Sequence, residues 1–226
     1  MSLRSLLSTC ALLVLLPTLV AAAPILPTSY DMPNGHGQAS GGTFNYWDLS
    51  YSGVGSTNVD GAPLSGGHGD LTDGIVAGDI WFNVENAAGT GPYVGWRNID
   101  PRIDFHFASV VEFLSVRIHL DDANGFGSVN LPTAVRFTAG AATTTINVVD
   151  PAGSAPLWVN FDLAGLGFAG SALSVELLRK NQWVFASEFE FDGRAVPEPS
   201  MLLLAALGLG AGARRVRRRP QGAPAP

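Results

Sequence analysis

The chain has few side chains able to do covalent chemistry, and their spacing assembles no catalytic group. Four histidines (His36, His68, His106, His119), one cysteine (Cys10) and one lysine (Lys180) are scattered along it. A hydrolase elbow requires Gly-x-Ser-x-Gly, a zinc protease His-Glu-x-x-His, and a phosphate cradle a glycine-rich turn ending in lysine. None of these occurs, and Lys180 follows no such turn. Acidic residues are plentiful, but a carboxylate pair cleaves a glycosidic bond only at a fixed separation, which sequence spacing does not set. Asp121-Asp122 reads as part of a turn. His68 lies in a glycine-rich stretch with Asp70 and Asp73, either as a ligand or as a plain loop residue. Aromatic rings could do another job, since the flat face of a sugar stacks on an exposed ring. Trp81, Tyr93 and Trp96, with Arg97 as a hydrogen-bonding neighbour, are the candidates for such a ligand site. The competing reading puts these rings in a core.

The elements that would position these residues are strands. Residues 24–42 are rich in Pro, Gly, Ser and Asn and read as an opening loop. A first strand is expected over Thr43–Tyr51, then a long glycine-heavy loop from Ser52 to Gly78. Long loops inside small domains are usually functional, so this is the first place to seek a site. Strands are then expected over Asp79–Val84, Tyr93–Asn98, Arg102–Phe107, Val111–Leu120, Ala134–Thr138, Thr143–Val149, Leu157–Phe161, Ala172–Leu178 and Trp183–Phe191. Phe113, Val116, Ile118 and Leu120 cannot share one face, which predicts a bulge or a strand buried on both sides. In the last strand, Phe185, Ser187, Phe189 and Phe191 fall on one side, with Val184, Ala186, Glu188 and Glu190 on the other. No stretch between the two ends repeats at helical spacing. The expected fold is all-β, a two-sheet sandwich of about eight strands.

Both ends read as addresses. Arg4, the apolar run Leu6–Val20 and Ala21-Ala22-Ala23 form a signal peptide over residues 1–23, with cleavage favoured after Ala22 because Pro24 disfavours the next bond. This implies the Sec machinery and signal peptidase as partners. Cys10 lies inside it, so the exported part has no cysteine for disulfides or thiolate metal sites. At the other end, Val196-Pro197-Glu198-Pro199 precedes an apolar run Met201–Ala213 and then Arg214, Arg215, Arg217, Arg218 and Arg219. Prolines keep the first piece extended, and the arginines stop transfer of the run through a membrane. The uncharged stretch Ser200–Ala213 is only fourteen residues, about 21 Å of helix at 1.5 Å per residue. It would be a weak transmembrane anchor. Residues 220–226 read as a disordered tail.

The span 24–199 carries seven basic residues and all nineteen acidic ones, a formal charge of −12. So acidic a surface argues against nucleic acid and anionic polymers as direct ligands, and leaves neutral glycans or divalent cations.

The order of pieces at the C-terminus resembles the sorting signal of PEP-CTERM proteins over residues 196–219. The resemblance implies export in a Gram-negative bacterium that makes exopolysaccharide, and removal of the tail by an exosortase. The exported body is residues 24–195, and over residues 43–193 it resembles the galactose-binding-like (discoidin-like) jelly roll, through Leu71-Thr72-Asp73-Gly74, Leu131-Pro132 and the closing strand with Ser187-Glu188-Phe189. That family often holds a structural Ca2+ between the Asp-Gly loop and the closing glutamate. Carried over, this nominates Asp73 and Glu188 as ligands, with carbonyls near Asp70 and Leu71. The alternative has Asp73 closing a turn and Glu188 solvated. The expectation is a non-enzymatic, exported glycan-binding or matrix-structural module at the cell surface or in exopolysaccharide. The alternatives are a polysaccharide-acting enzyme and an adhesin with protein partners.

Overall fold

Runs of alternating apolar and polar residues, broken by Gly, Pro, Asn and Asp, leave the backbone little choice but extended pairing. The computed structural model describes residues 22–196. Residues 1–21 of the signal segment, Pro197–Pro199, the apolar run, the arginine cluster and residues 220–226 lie outside the described residues. Among the described residues no helix is long and apolar enough to cross a membrane.

The strands are β1 (Ala23–Ile25), β2 (Ser29–Pro33), β3 (Pro63–Gly67), β4 (Val94–Arg97), β5 (Arg102–Leu120), β6 (Ala134–Ala139), β7 (Ala142–Asn147), β8 (Leu157–Asp162), β9 (Ala169–Leu178) and β10 (Trp183–Ala195). Their pairings are antiparallel. One layer runs β3-β2-β5-β9-β6-β7. The other has β10 beside β5, with β1 and β4 on the far side of β10 and β8 beyond β5. β5 belongs to both layers. Its first part, Arg102–His106, pairs with β9, and Ser115–Leu120 pairs with β8 and β10. The expected sandwich is therefore present, made from one long strand that crosses between sheets.

The core lies between the layers. Phe105 of the first layer meets Phe189 of the second at 4.9 Å between ring centroids. Phe137 meets Phe161 at 5.1 Å. Side chains this size contribute about 1.5–3 kcal/mol each on burial.

Three local expectations are corrected. The stretch Thr43–Tyr51 is not a strand; the first strands are instead β1 and β2, inside the expected opening loop. Tyr30 and Met32 alternate inward there, and the prolines mark the ends of the extended segment rather than forbidding it. Glycines hid β3 in the same way. Asp79–Val84 is not a strand either. Asp79 Oδ1 accepts the Ile80 N–H at 2.8 Å and Oδ2 accepts Asn83 Nδ2–H at 2.9 Å, which winds Trp81–Val84 into one helical turn.

The third correction concerns β10. Between Ala186 and Glu188 the register with β5 advances by two residues against one, so Ser187 is an inserted bulge. Before it, Val184 and Ala186 face the main core. After it, Phe189 and Phe191 do. Phe185 does not share their face but belongs to a second cluster with Tyr46, Trp81, Tyr93 and Trp183. A further shift between Asp192 and Gly193 skips Leu114 of β5, a bulge, which is one of the two alternatives its apolar pattern allows.

Candidate functional site

The Ser187 bulge aims Glu188 at the glycine-rich loop. Glu188 is 4% exposed, and its Oε2 accepts the Gly74 N–H at 2.7 Å. Its Oε1 accepts the Phe189 N–H at 3.2 Å. Burial pushes the Glu188 carboxyl up to about 8, the Gly74 and Phe189 N–H groups oppose this, and the charge of Asp73 adds to it. Asp73 is exposed and accepts the Ile75 N–H at 2.8 Å, closing the turn. The two residues nominated as ligands are thus neighbours, on opposite sides of the loop–strand seam.

Asp73 and Glu188 both carry carboxylate oxygens, but Asp73 lines one cavity and Glu188 another. Two carboxylates near one another gain from an added positive charge, and Ca2+ takes oxygen donors. Among the described residues no three His, Cys, Asp or Glu side chains gather as a metal group. The other donors would be carbonyls and water. Leu71 O already accepts the Phe189 N–H at 3.0 Å and keeps its second lone pair.

Behind the loop lies a buried acidic layer. Ser50 Oγ donates to Asp70 Oδ1 at 2.5 Å, and Asp48 Oδ1 accepts the Asp70 N–H at 3.2 Å. Tyr30 Oη–H donates to Asp48 Oδ2. Gly69 must be glycine here, since a Cβ would sit 2.3 Å from Asp48 Oδ1. Burial and the charge of Asp48 raise Asp70 to about 7. Asp70 and Asp73 line a cavity of about 430 Å3 with Ser50, Thr90, Ile75 and Pro92. His68 is exposed, with Nδ1 3.4 Å from Thr72 Oγ1, and lines a different cavity beside Glu188.

The rings expected to meet a ligand are core instead. Trp81, Tyr93 and Trp96 are 6%, 1% and 0% exposed. Trp96 Nε1–H donates to Pro33 O at 2.7 Å, and Tyr93 Oη–H donates to Asp79 O at 3.0 Å. Segments 39–48, 75–84 and 123–129 fold over the outer face of β10 and bury Trp81 and Tyr93 there, while Trp96 lies in the main core. Arg97 remains exposed, with its guanidinium 5.8 Å from the Trp183 ring.

Other rings take the surface position. Phe82 and Phe126 are 50% and 52% exposed. Their centroids are 5.3 Å apart at 86°, so the rings meet as a right-angled corner. Trp81 backs Phe126 at 5.7 Å in a stacked geometry, and half-buried Phe44 flanks Phe82 at 5.8 Å. Two contacts to Trp81 hold the corner. Asp121 Oδ2 accepts the Trp81 N–H at 2.8 Å. Gly127, at φ +64, lets the 125–128 turn approach, since a Cβ would lie 2.5 Å from the Trp81 ring. On the same helical turn the exposed pair Asp79 and Asn83 offers an acceptor and a donor side by side. Sequence reasoning missed Phe44, Phe82 and Phe126. A signal was available in Phe82 and Phe126, aromatics each directly beside an Asn or Gly.

Ser187 Oγ and His119 Nδ1 lie 2.7 Å apart, but both residues are buried and the pair ties β10 to β5. Asp121 and Asp122 are buried too, and burial raises Asp121 to about 7.

The family described as discoidin domain-containing receptor 1/2, DS-like domain, matches residues 27–193. The PEP-CTERM protein-sorting motif matches residues 195–219. No curated protein sequence matches the chain. Among solved structures, a fucose-binding module of Streptococcus pneumoniae is 17% identical with a TM-score of 0.38, over 65% of this chain and 95% of that one. An F5/8 type C domain from Bacteroides fragilis is 7% identical with a TM-score of 0.43, over 77% and 98%. The family 32 module of C. perfringens NanJ, solved with galactose, is 6% identical with a TM-score of 0.31, over 44% and 75%.

Proposed function

From a chain that belongs to the discoidin domain-containing receptor 1/2 DS-like family and ends in a PEP-CTERM sorting motif, we propose a non-catalytic glycan-binding module of the cell envelope. The exposed Phe82–Phe126 corner is the observation that carries this reading. A pyranose has an apolar C–H face and an equatorial rim of hydroxyls. The corner offers ring surface to the first, and Asp79 with Asn83 offers an acceptor and a donor to the second. The −12 charge of the exported span favours neutral sugars over anionic ones.

A neutral-glycan array, probed with the protein and with Phe82→Ala/Phe126→Ala, tests this. Binding by the native chain that weakens at least tenfold in the variant is the expected result. A blank array, or binding indifferent to both rings, removes the reading.

Ca2+ bound by Asp73 and Glu188 would brace the loop without touching the sugar. The sorting motif makes this an exported protein of the envelope. Its route in this proposal is Sec export, signal peptidase cleavage, then removal of the tail at Val196–Ser200 by an exosortase. The released module would lie at the surface or in the exopolysaccharide, where its ligand is.

A further inference from the structure

β7 is the outer strand of its layer. It pairs with β6 in unbroken register from Ala134↔Asn147 to Ala139↔Ala142. Among the described residues no strand lies on its other side. Every second N–H and C=O along that side therefore faces away from the sheet.

Natural edges are blunted by charge, proline, bulges or shortness. The other outer strands follow this rule. β1 is three residues long and contains Pro24, β4 is four residues, β3 holds Pro63 and two glycines, and β8 begins after Pro156 and ends on Asp162. β7 has none of these guards. The ten residues Gly140–Val149 include no charged side chain and no proline, in an exported span with a formal charge of −12. Thr143, Thr145, Asn147 and Val149 are exposed.

We infer that β7 is a self-association edge, and that a second copy of this chain adds its own β7 antiparallel to it. The neutral strand selects the copy. Two bodies of like charge repel wherever acidic surfaces meet, and the β7 edge is where they can approach without carboxylates opposing each other. An antiparallel pair of identical strands is isologous, so each edge satisfies the other and growth stops at a dimer. Facing threonines also pair well across strands. The dimer would carry two aromatic corners, which raises avidity for a repeating polymer.

Sedimentation equilibrium of the full-length protein, native and Thr143→Lys/Thr145→Lys, tests this. Both threonines are exposed, so an unchanged melting temperature certifies the fold of the variant. The expected result is a dimer for the native chain and at least tenfold weaker association for the variant. A native monomer at 100 times typical working concentration (about 100 μM against ~1 μM) overturns the inference. So does a dimer that ignores the lysines, or an open polymer. None of these readings involves sugar, so failure here is distinct from failure of glycan binding.

Discussion

Gly74 donates its N–H to Glu188 Oε2 across 2.7 Å, which hangs a glycine-rich loop on the last strand of the fold. The carboxylate is buried and also accepts the Phe189 N–H at 3.2 Å, so removing it breaks both bonds and unties the loop from the strand.

Glu188→Ala should therefore cost about 1–3 kcal/mol, or on the order of 2–10 °C of melting temperature. Glu188→Gln keeps an acceptor for Gly74 and should cost less. If Ca2+ binds there, adding it should raise the native melting temperature and chelator should lower it, with neither effect in Glu188→Gln or Asp73→Ala. Differential scanning fluorimetry in calcium and in chelator decides. Equal native melts in both remove the ion from the account.

The pH dependence follows from four buried carboxyls. Burial raises Asp70 and Asp121 to about 7, and Glu85 and Glu188 to about 8. Their folded values lie above their unfolded ones. Each therefore holds its proton more tightly in the native state, and its contribution is complete below about pH 4 and lost as pH rises towards 8. Without added cation the protein should melt highest near pH 5 and lower by several degrees at pH 8. The slope is at most about 1.4 kcal/mol per carboxyl per pH unit. A melting temperature that climbs from pH 5 to 8 would contradict these environments.

Substituting the rings should separate core from surface. Trp96→Ala removes a fully buried ring and should cost about 3–5 kcal/mol in urea unfolding. Phe82→Ala and Phe126→Ala remove half-exposed rings and should cost no more than about 1 kcal/mol. Equal losses at all three positions would mean that the corner is structural.

The tail can be followed by intact mass. Removal of a C-terminal fragment starting within Val196–Ser200, only in cells with an exosortase, is the expected outcome, and Pro197→Ala/Glu198→Ala should abolish it. A tail kept in both strains would leave the module anchored in the inner membrane.

Much of this was legible in the sequence. The C-terminal sorting motif and most strands from Val94 onwards were visible, because residue type, order and period-two alternation specify them directly. The Leu114 bulge was visible because Phe113 and Val116 change parity. The Ser187 bulge was not, since its cause is a register set by β5, and alternation within β10 alone puts Phe185 and Phe189 together. β2 and β3 were hidden by prolines and glycines that serve as strand ends and close contacts. The aromatic site was misplaced for a related reason. Sequence sees a tryptophan but not the three loops that fold over it, and those loops bury Trp81 while lifting Phe82 into solvent.

β10 also has a mechanical side. Its first residues carry Phe185, stacked at 6.3 Å on the Trp81 that backs the aromatic corner. Its last pair with Val111 and Glu112 of β5, where Arg194 grips Glu112 through two bonds of 2.7 and 2.9 Å. In a chain pulled by a bound polymer before its tail is removed, tension would thus run lengthwise along β10. Bonds to β5 would then be loaded in shear and share the force, instead of opening singly like a zipper. The strand that closes the sandwich is also its tendon.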